Sequence, residues 1–271
     1  HRVPDTVSLQ LSSLKFPPEQ RAWHVAKKKI LKHLMCGQHP STLEEAKIAA
    51  IEGAFYAIEI AQMREDGRIC RVPHLDALPV HTVCDLGMGE RMPWIFFQVI
   101  GLEVHIVNCF NLSKKEDIRG GAAFYKRMLD TKREQFGYSY GKYFCPFDIN
   151  KGEIGSGQIV YDTFKQNGIT FYKLDRETNV LDGIQRLTNI FPSIYIDAIK
   201  CPGIITAWSC YHREWIENMG RYDANPAPDQ YSHYADMGRY LSEIIDKKLY
   251  VMDNSLTNKQ TSSLVEYSSL G

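Results

Sequence analysis

The sequence predicts a mixed α/β fold: a sheet of antiparallel and parallel strands flanked by helices. Three observations carry this. The short run 80–85 (VHTVCD) reads as a strand, and 94–110 (WIFFQVIGLEVHIVNCF) is two β-rich runs broken at Gly101-Leu102, as in a hairpin. Helical and strand-like stretches then alternate, which is the pattern of parallel strands joined through helices. Two helical segments, 201–218 and 231–248, finish the chain.

Composition agrees and excludes other classes. The 271 residues are 44% hydrophobic and 24% charged, enough apolar content for a real core and too much for a disordered or collagen-like chain. Lys plus Arg and Asp plus Glu are both 32, so net charge is zero and a non-specific polycation is excluded, although a local basic face is not. Seven cysteines are scattered without a CxxC pair, which fits reduced thiols better than a disulfide framework or a zinc site. No apolar run of about 18 residues is present, so no membrane span is expected. The first residue is His, and the chain is expected to be a fragment or processed piece.

Taken in order, residues 1–78 read as a helical connecting or auxiliary region. Pro17-Pro18-Glu19 opens a helix through Lys27, Lys28, Lys29 and Lys32, and residues 1–40 hold seven Lys/Arg against two Asp/Glu. A second helix starts near Ser41-Thr42, where Glu44 or Glu45 can complete a capping box, and ends at Asp66-Gly67. The texture changes at Pro79, and 79–252 reads as the main domain. After the strand and hairpin come a helix (120–136), a strand (142–147), a helix (158–167) closed by Gly168, a strand (169–174) and a helix (180–191) stopped by Pro192. Residues 193–197 form a further short element. Trp208, Tyr211 and Trp215 recur at helical spacing and read as core. Residues 253–271, rich in Ser, Thr and Asn, read as a polar flexible tail.

Three aspartates stand where chemistry collects. Asp85 ends the first strand, Asp148 ends the strand after the hairpin, and Asp236 lies on the last helix. Functional groups in open sheets gather beyond the carboxyl ends of parallel strands. Aspartate ends strands and caps helices routinely, so each one alone says little. Together, carboxylates that converge without a basic neutraliser repel, and such a cluster persists best around divalent cations. Hard oxygen donors suit Mg²⁺ or Mn²⁺, and two such ions about 4 Å apart can activate a water and stabilise the leaving oxygen in phosphodiester hydrolysis. On a helix, His233, Asp236 and Arg239 share a face, a costly set of residues for mere packing.

Four segments now carry a resemblance: GAFYAIEIAQMREDGRICRVP (53–73), PVHTVCDLGMGE (79–90), PFDIN (146–150) and SHYADMGRY (232–240). In that order they resemble the nuclease domain of tailed-bacteriophage large terminases, over roughly residues 50–245. The most specific parts are Gly67-Arg68-Ile69, Asp85-Leu86-Gly87 and the helix bearing Ser232, His233, Asp236, Arg239 and Tyr240. The resemblance implies a ribonuclease H-like fold and a metal-dependent endonuclease that cuts concatemeric double-stranded viral DNA during genome packaging. It implies that Asp85, Asp148 and Asp236 hold a two-metal site of Mg²⁺ or Mn²⁺, with Asp229 and His233 as supporting polar residues. Two positions depart from the family pattern: Phe147 replaces a frequent His before the second acid, and Glu90 stands where a second Asp often follows the first. Glu90 is carried as a supporting residue.

The resemblance further implies double-stranded DNA, a portal protein and a small terminase subunit as partners, no membrane, and the host cytoplasm as the setting. A packaging ATPase needs a Gly-rich loop ending in Gly-Lys-Ser/Thr, and the Gly137–Lys142 stretch has the wrong spacing, so the motor domain is expected to be missing. Residues 111–151 hold nine Lys/Arg against five Asp/Glu, and Lys126, Arg127, Lys132 and Arg133 are the DNA-binding candidates; a solvated helix face explains them equally well. Other readings are a ribonuclease H-like resolvase or integrase, or a non-catalytic module that docks on DNA or a portal.

Overall fold

The computed structural model describes residues 53–85, 92–110, 121–150, 160–216 and 218–251. The expectations for residues 1–52, for Glu90 and for the tail 253–271 lie outside the described residues.

The chain runs α1 (Ala57–Glu65), β1 (Ile69–Cys70), β2 (Val80–Cys84), β3 (Trp94–Ile100), β4 (Glu103–Phe110), α2 (Gly121–Phe136) and β5 (Tyr140–Cys145). A 3-10 turn (Phe147–Asn150) leads to α3 (Val160–Gln166), β6 (Phe171–Lys173), α4 (Val180–Ile190) and β7 (Ile194–Asp197). Then come α5 (Pro202–Cys210), the hairpin β8 (Arg213–Ile216) and β9 (Arg221–Pro226), and α6 (Ser232–Asp246). Seven strands form one sheet in the order β1-β7-β4-β3-β2-β5-β6. β3 is antiparallel to β2 and β4, and every other pairing is parallel. This is the mixed sheet of a ribonuclease H-like fold, meander and parallel strands included.

Side chains alternate across the sheet, and each face meets its own helices. Val83, Ile95 and Phe97 join Tyr56, Ile60, Leu187, Trp208 and Leu241 on the face of α1, α4, α5 and α6. Val80, Cys84, Trp94 and Phe96 join Tyr125, Leu129 and Phe164 on the face of α2 and α3. β2 is buried along its whole length, as a central strand covered on both sides must be. The β3–β4 turn falls at Gly101-Leu102, where Gly101 takes a positive φ of 62° that a glycine adopts without strain.

The structure differs from the sequence reading in several places. Of the helix expected from Ser41-Thr42 to Asp66, the described residues are helical only over Ala57–Glu65, because Ala54 bridges to His212. The helix expected over 201–218 stops at Cys210, because Tyr211 is extended and the backbone is held sideways: Phe55 N donates to Tyr211 O (2.9 Å) and Arg213 N to Gly53 O (2.8 Å). Pairing with the segment before α1 thus displaces the helix, and Trp215 lies on β8 against Tyr222, ring centroids 4.9 Å apart, while Trp208 and Tyr211 are core. The strand expected over 142–147 is Tyr140–Cys145, and Asp148 falls in the 3-10 turn just beyond it. The sheet also begins earlier than the change of texture at Pro79: β1 pairs with β7. Arg68 fastens that edge by donating to Phe191 O (2.6 Å) and Ile194 O (3.2 Å).

Candidate active site

β2 and β5 are adjacent and parallel, with Val83 beside Phe144, so their carboxyl ends open at the same place. Asp85 follows the last residue of β2, and Asp148 follows β5 by three residues. α6 packs against β2 and α4, which lays its first two turns over the same end of the sheet. Gly238 permits this approach, because a Cβ there would stand 2.6 Å from Leu187 and 2.8 Å from the Trp208 ring.

His233 Nδ1 lies 2.7 Å from Asp85 Oδ2, joining the first turn of α6 to the end of β2. That contact raises the imidazole pKa, so His233 is biased towards the protonated donor. Asp236, one turn further along, is partly buried and its carboxyl is pushed up to about 6, first by burial and then by the charge on Asp85, against the opposing pull of Arg239. The Tyr240 hydroxyl is pushed well above the usual phenol range by burial, then by Asp85, Asp236 and, more weakly, Asp148.

Behind Asp236 lies a charge network that the sequence reading did not include. Arg239 Nη2 is 2.9 Å from Asp236 Oδ1, and its Nε is 3.0 Å from Glu177 Oε2, outside hydrogen-bonding alignment. Glu177 also takes Arg186 at 2.7 Å, and Arg186 Nε donates to Ser242 Oγ at 3.0 Å. The only signal in the sequence was the i, i+3 spacing of Asp236 and Arg239; Glu177 and Arg186 come from other elements and gave none.

The other named residues are placed differently. Asp229 builds the turn before α6, its Oδ1 accepting from Tyr231 N at 2.8 Å, and lies 3.6 Å from His212. On α2, Lys126 binds Asp130 at 2.6 Å, and Arg133 reaches the same carboxylate at 3.5 Å. Lys132 donates to Asn108 Oδ1 at 3.0 Å and lies over the Phe96 and Phe136 rings, so burial lowers its pKa. Arg127 is exposed.

The donor chemistry of Asp85, Asp148 and Asp236, carboxylate oxygens only, suits a hard divalent cation. Among the described residues, however, no group of three or more His, Cys, Asp or Glu is close enough to form a ready-made metal cluster. Asp85 faces His233 and Asp236 faces Arg239, so each acid has a protein cation at hand.

No protein-family model matches the chain, and no curated protein matches it. Among solved structures it is similar to the large terminase of a thermophilic bacteriophage, with a TM-score of 0.50 at 18% identity, covering 74% of this chain and 46% of that one. The same terminase in complex with ATP-gamma-S gives a TM-score of 0.50 at 18% identity over 70% and 45%. The nuclease domain of the P22 large terminase gives 0.44 at 15% identity over 66% and 88%. The chain spans about half the length of the thermophilic-phage terminase it matches, and among its described residues no helix is long and apolar enough to cross a membrane. The described part of the chain therefore has a ribonuclease H-like fold, similar to part of a large terminase.

Proposed function

We propose that this chain hydrolyses phosphodiester bonds in double-stranded DNA as the nuclease portion of a large-terminase-type packaging protein. The observation that supports this best is that Asp85 and Asp148 follow the carboxyl ends of two adjacent parallel strands, while α6, which carries Asp236, is tied to Asp85 through His233. Bound there, a pair of Mg²⁺ or Mn²⁺ ions would supply Lewis-acid activation of water and stabilisation of the leaving oxygen. The protein's part is to hold the carboxylates in place. Asp85 and Asp148 do so from short, packed strand ends, and Asp236 from a helix braced by Arg239 and Glu177. His233 holds Asp85 from the solvent side and can release it to a cation, since the ring is exposed. Glu90, five residues after Asp85, is a candidate further ligand. The portal, small terminase subunit and ATPase are the proposed partners of the longer protein.

A second reading has its own support. The engagement of Asp85 by His233 and of Asp236 by Arg239 also suits a docking module whose acids are internally neutralised. Cleavage of supercoiled plasmid with Mg²⁺ or Mn²⁺ separates the two. The hydrolase reading expects metal-dependent nicking and linearisation that disappear with EDTA and in Asp85→Ala. Absence of cleavage with either metal, or equal cleavage by Asp85→Ala, would sink it.

A further inference from the structure

The loop after β6 carries two neighbouring charges that point at two different acids. Glu177 turns inward to Arg239, the partner of Asp236. Arg176, one residue earlier, is exposed and lies over the ring of Phe147, 5.4 Å from its centroid. Phe147 is itself 40% exposed and immediately precedes Asp148. At the end of β6, Lys173 is also exposed, pairs in register with Cys145, and lies 5.3 Å from the centroid of the Tyr161 ring.

Two long cations are therefore held against aromatic faces at the end of β6 and in the loop after it, Arg176 on the residue that precedes a candidate catalytic acid. Stacking orders a guanidinium or ammonium with little entropy left to lose, while its N–H donors stay turned to solvent. Among the described residues neither is in an ion pair, unlike Lys126 and Arg133 on α2, which share Asp130. The approach to the acids is thus basic along the edge strand β6.

Building on the nuclease reading above, we propose that Arg176 and Lys173 form a phosphate clamp that seats the DNA backbone beside the scissile bond. Arg176 grips one phosphate from the Phe147 platform, next to Asp148, and Lys173 a neighbouring one. Phe147, which departs from the family's frequent histidine, then serves as the platform for the clamp.

The test is binding of a fluorescent DNA duplex to the full 271-residue chain in EDTA, where no cleavage intrudes, as salt is raised. The clamp predicts that Lys173→Gln with Arg176→Gln weakens binding at least tenfold at low salt. It also predicts a log–log salt slope shallower by about 2, since each lost phosphate contact removes about 0.9. Arg176→Lys, which keeps the charge and loses the planar stack, should fall between. Arg64→Gln, an exposed charge on α1 near the opposite edge of the sheet, should match the parent. A double variant indistinguishable from Arg64→Gln, or a parent that does not bind duplex, overturns the clamp. A parent whose binding depends on the pair but which cuts no plasmid with metal supports the clamp and refutes hydrolysis instead.

Discussion

Two aspartates end strands of the same sheet, and the fold uses them in opposite ways. Asp197 closes β7 with 0% exposure and Asp85 follows β2 with 7%, so burial does not tell them apart. Their partners do. Asp197 accepts from the backbone N–H groups of Val72 (3.0 Å), Ile199 (3.0 Å) and Lys200 (2.8 Å), and the Lys200 ammonium lies 3.4 Å away. Asp85 meets a side chain, His233, and its charge is felt by Asp236. A carboxylate whose oxygens are taken by backbone donors is a structural fastening that ties β1 and the β7–α5 turn together. One met by an exposed histidine side chain, with another acid in its field, is the candidate for a ligand.

The widest separation between the two comes from removing each carboxylate. Asp85→Ala should lower plasmid cleavage by several kcal/mol of transition-state stabilisation, roughly a thousandfold in rate, and melt where the parent does. Asp197→Ala should keep the acids intact but lose about 3 kcal/mol or more in denaturant unfolding, because buried N–H groups are left without acceptors. An Asp197→Ala protein as stable as its parent would refute the structural assignment.

Acid titration sharpens the contrast. Burial works against ionising Asp197, but the N–H groups of Lys200 and Val72 outweigh it and lower the pKa below the ordinary 3.8. Its stabilisation is therefore present above about pH 4 and disappears as pH falls through the depressed folded value. His81, on β2, loses its contribution at higher pH. Burial and then Lys142 lower its pKa from 6.5 to about 4, and its Nδ1 accepts from Lys142 N at 3.0 Å. The unfolded chain takes up this proton first, so the His81 contribution to stability should decline from pH 6.5 to pH 4 by up to about 3 kcal/mol. Asp236, raised to about 6, runs the opposite way over the same range, so the His81 contribution is read as the difference between parent and His81→Gln, and a difference that does not change between pH 6.5 and pH 4 would exclude His81.

Smaller effects test the packing around the same strand. A Cβ at Gly141 would stand 2.6 Å from the His81 ring and 3.0 Å from Pro79, so Gly141→Ala should cost about 1–3 kcal/mol. Lys126→Gln removes an i, i+4 pair on the surface of α2 and should change unfolding by only about 0.3–0.5 kcal/mol. A larger loss there would mean that the α2 cations do more than hold Asp130.

The sheet was legible because its signals are local: the β3–β4 turn at Gly101-Leu102, the apolar run of β2 and the helical spacing of α6 all sit within a few residues of themselves. The β8–β9 hairpin was not, since Tyr211 is pulled from helix by Gly53 and Phe55, more than 150 residues away in sequence. The short strand β1 was hidden for the same reason, being defined by β7. At the site, the strand-end positions of Asp85 and Asp148 could be read from pattern. The brace of Glu177 and Arg186 could not, because charges on separate elements carry no spacing. Nor does the sequence separate Asp85 from Asp197, which differ only in which donors the fold brings to them.

The most direct test is Mn²⁺ uptake, followed by electron paramagnetic resonance of the free ion, in the parent, Asp85→Asn and a neutral control, Arg64→Gln. The account predicts saturable binding by the parent and the control and its loss in Asp85→Asn. Equal uptake by all three, or none by the parent, would contradict the assignment of Asp85 to a metal-binding site.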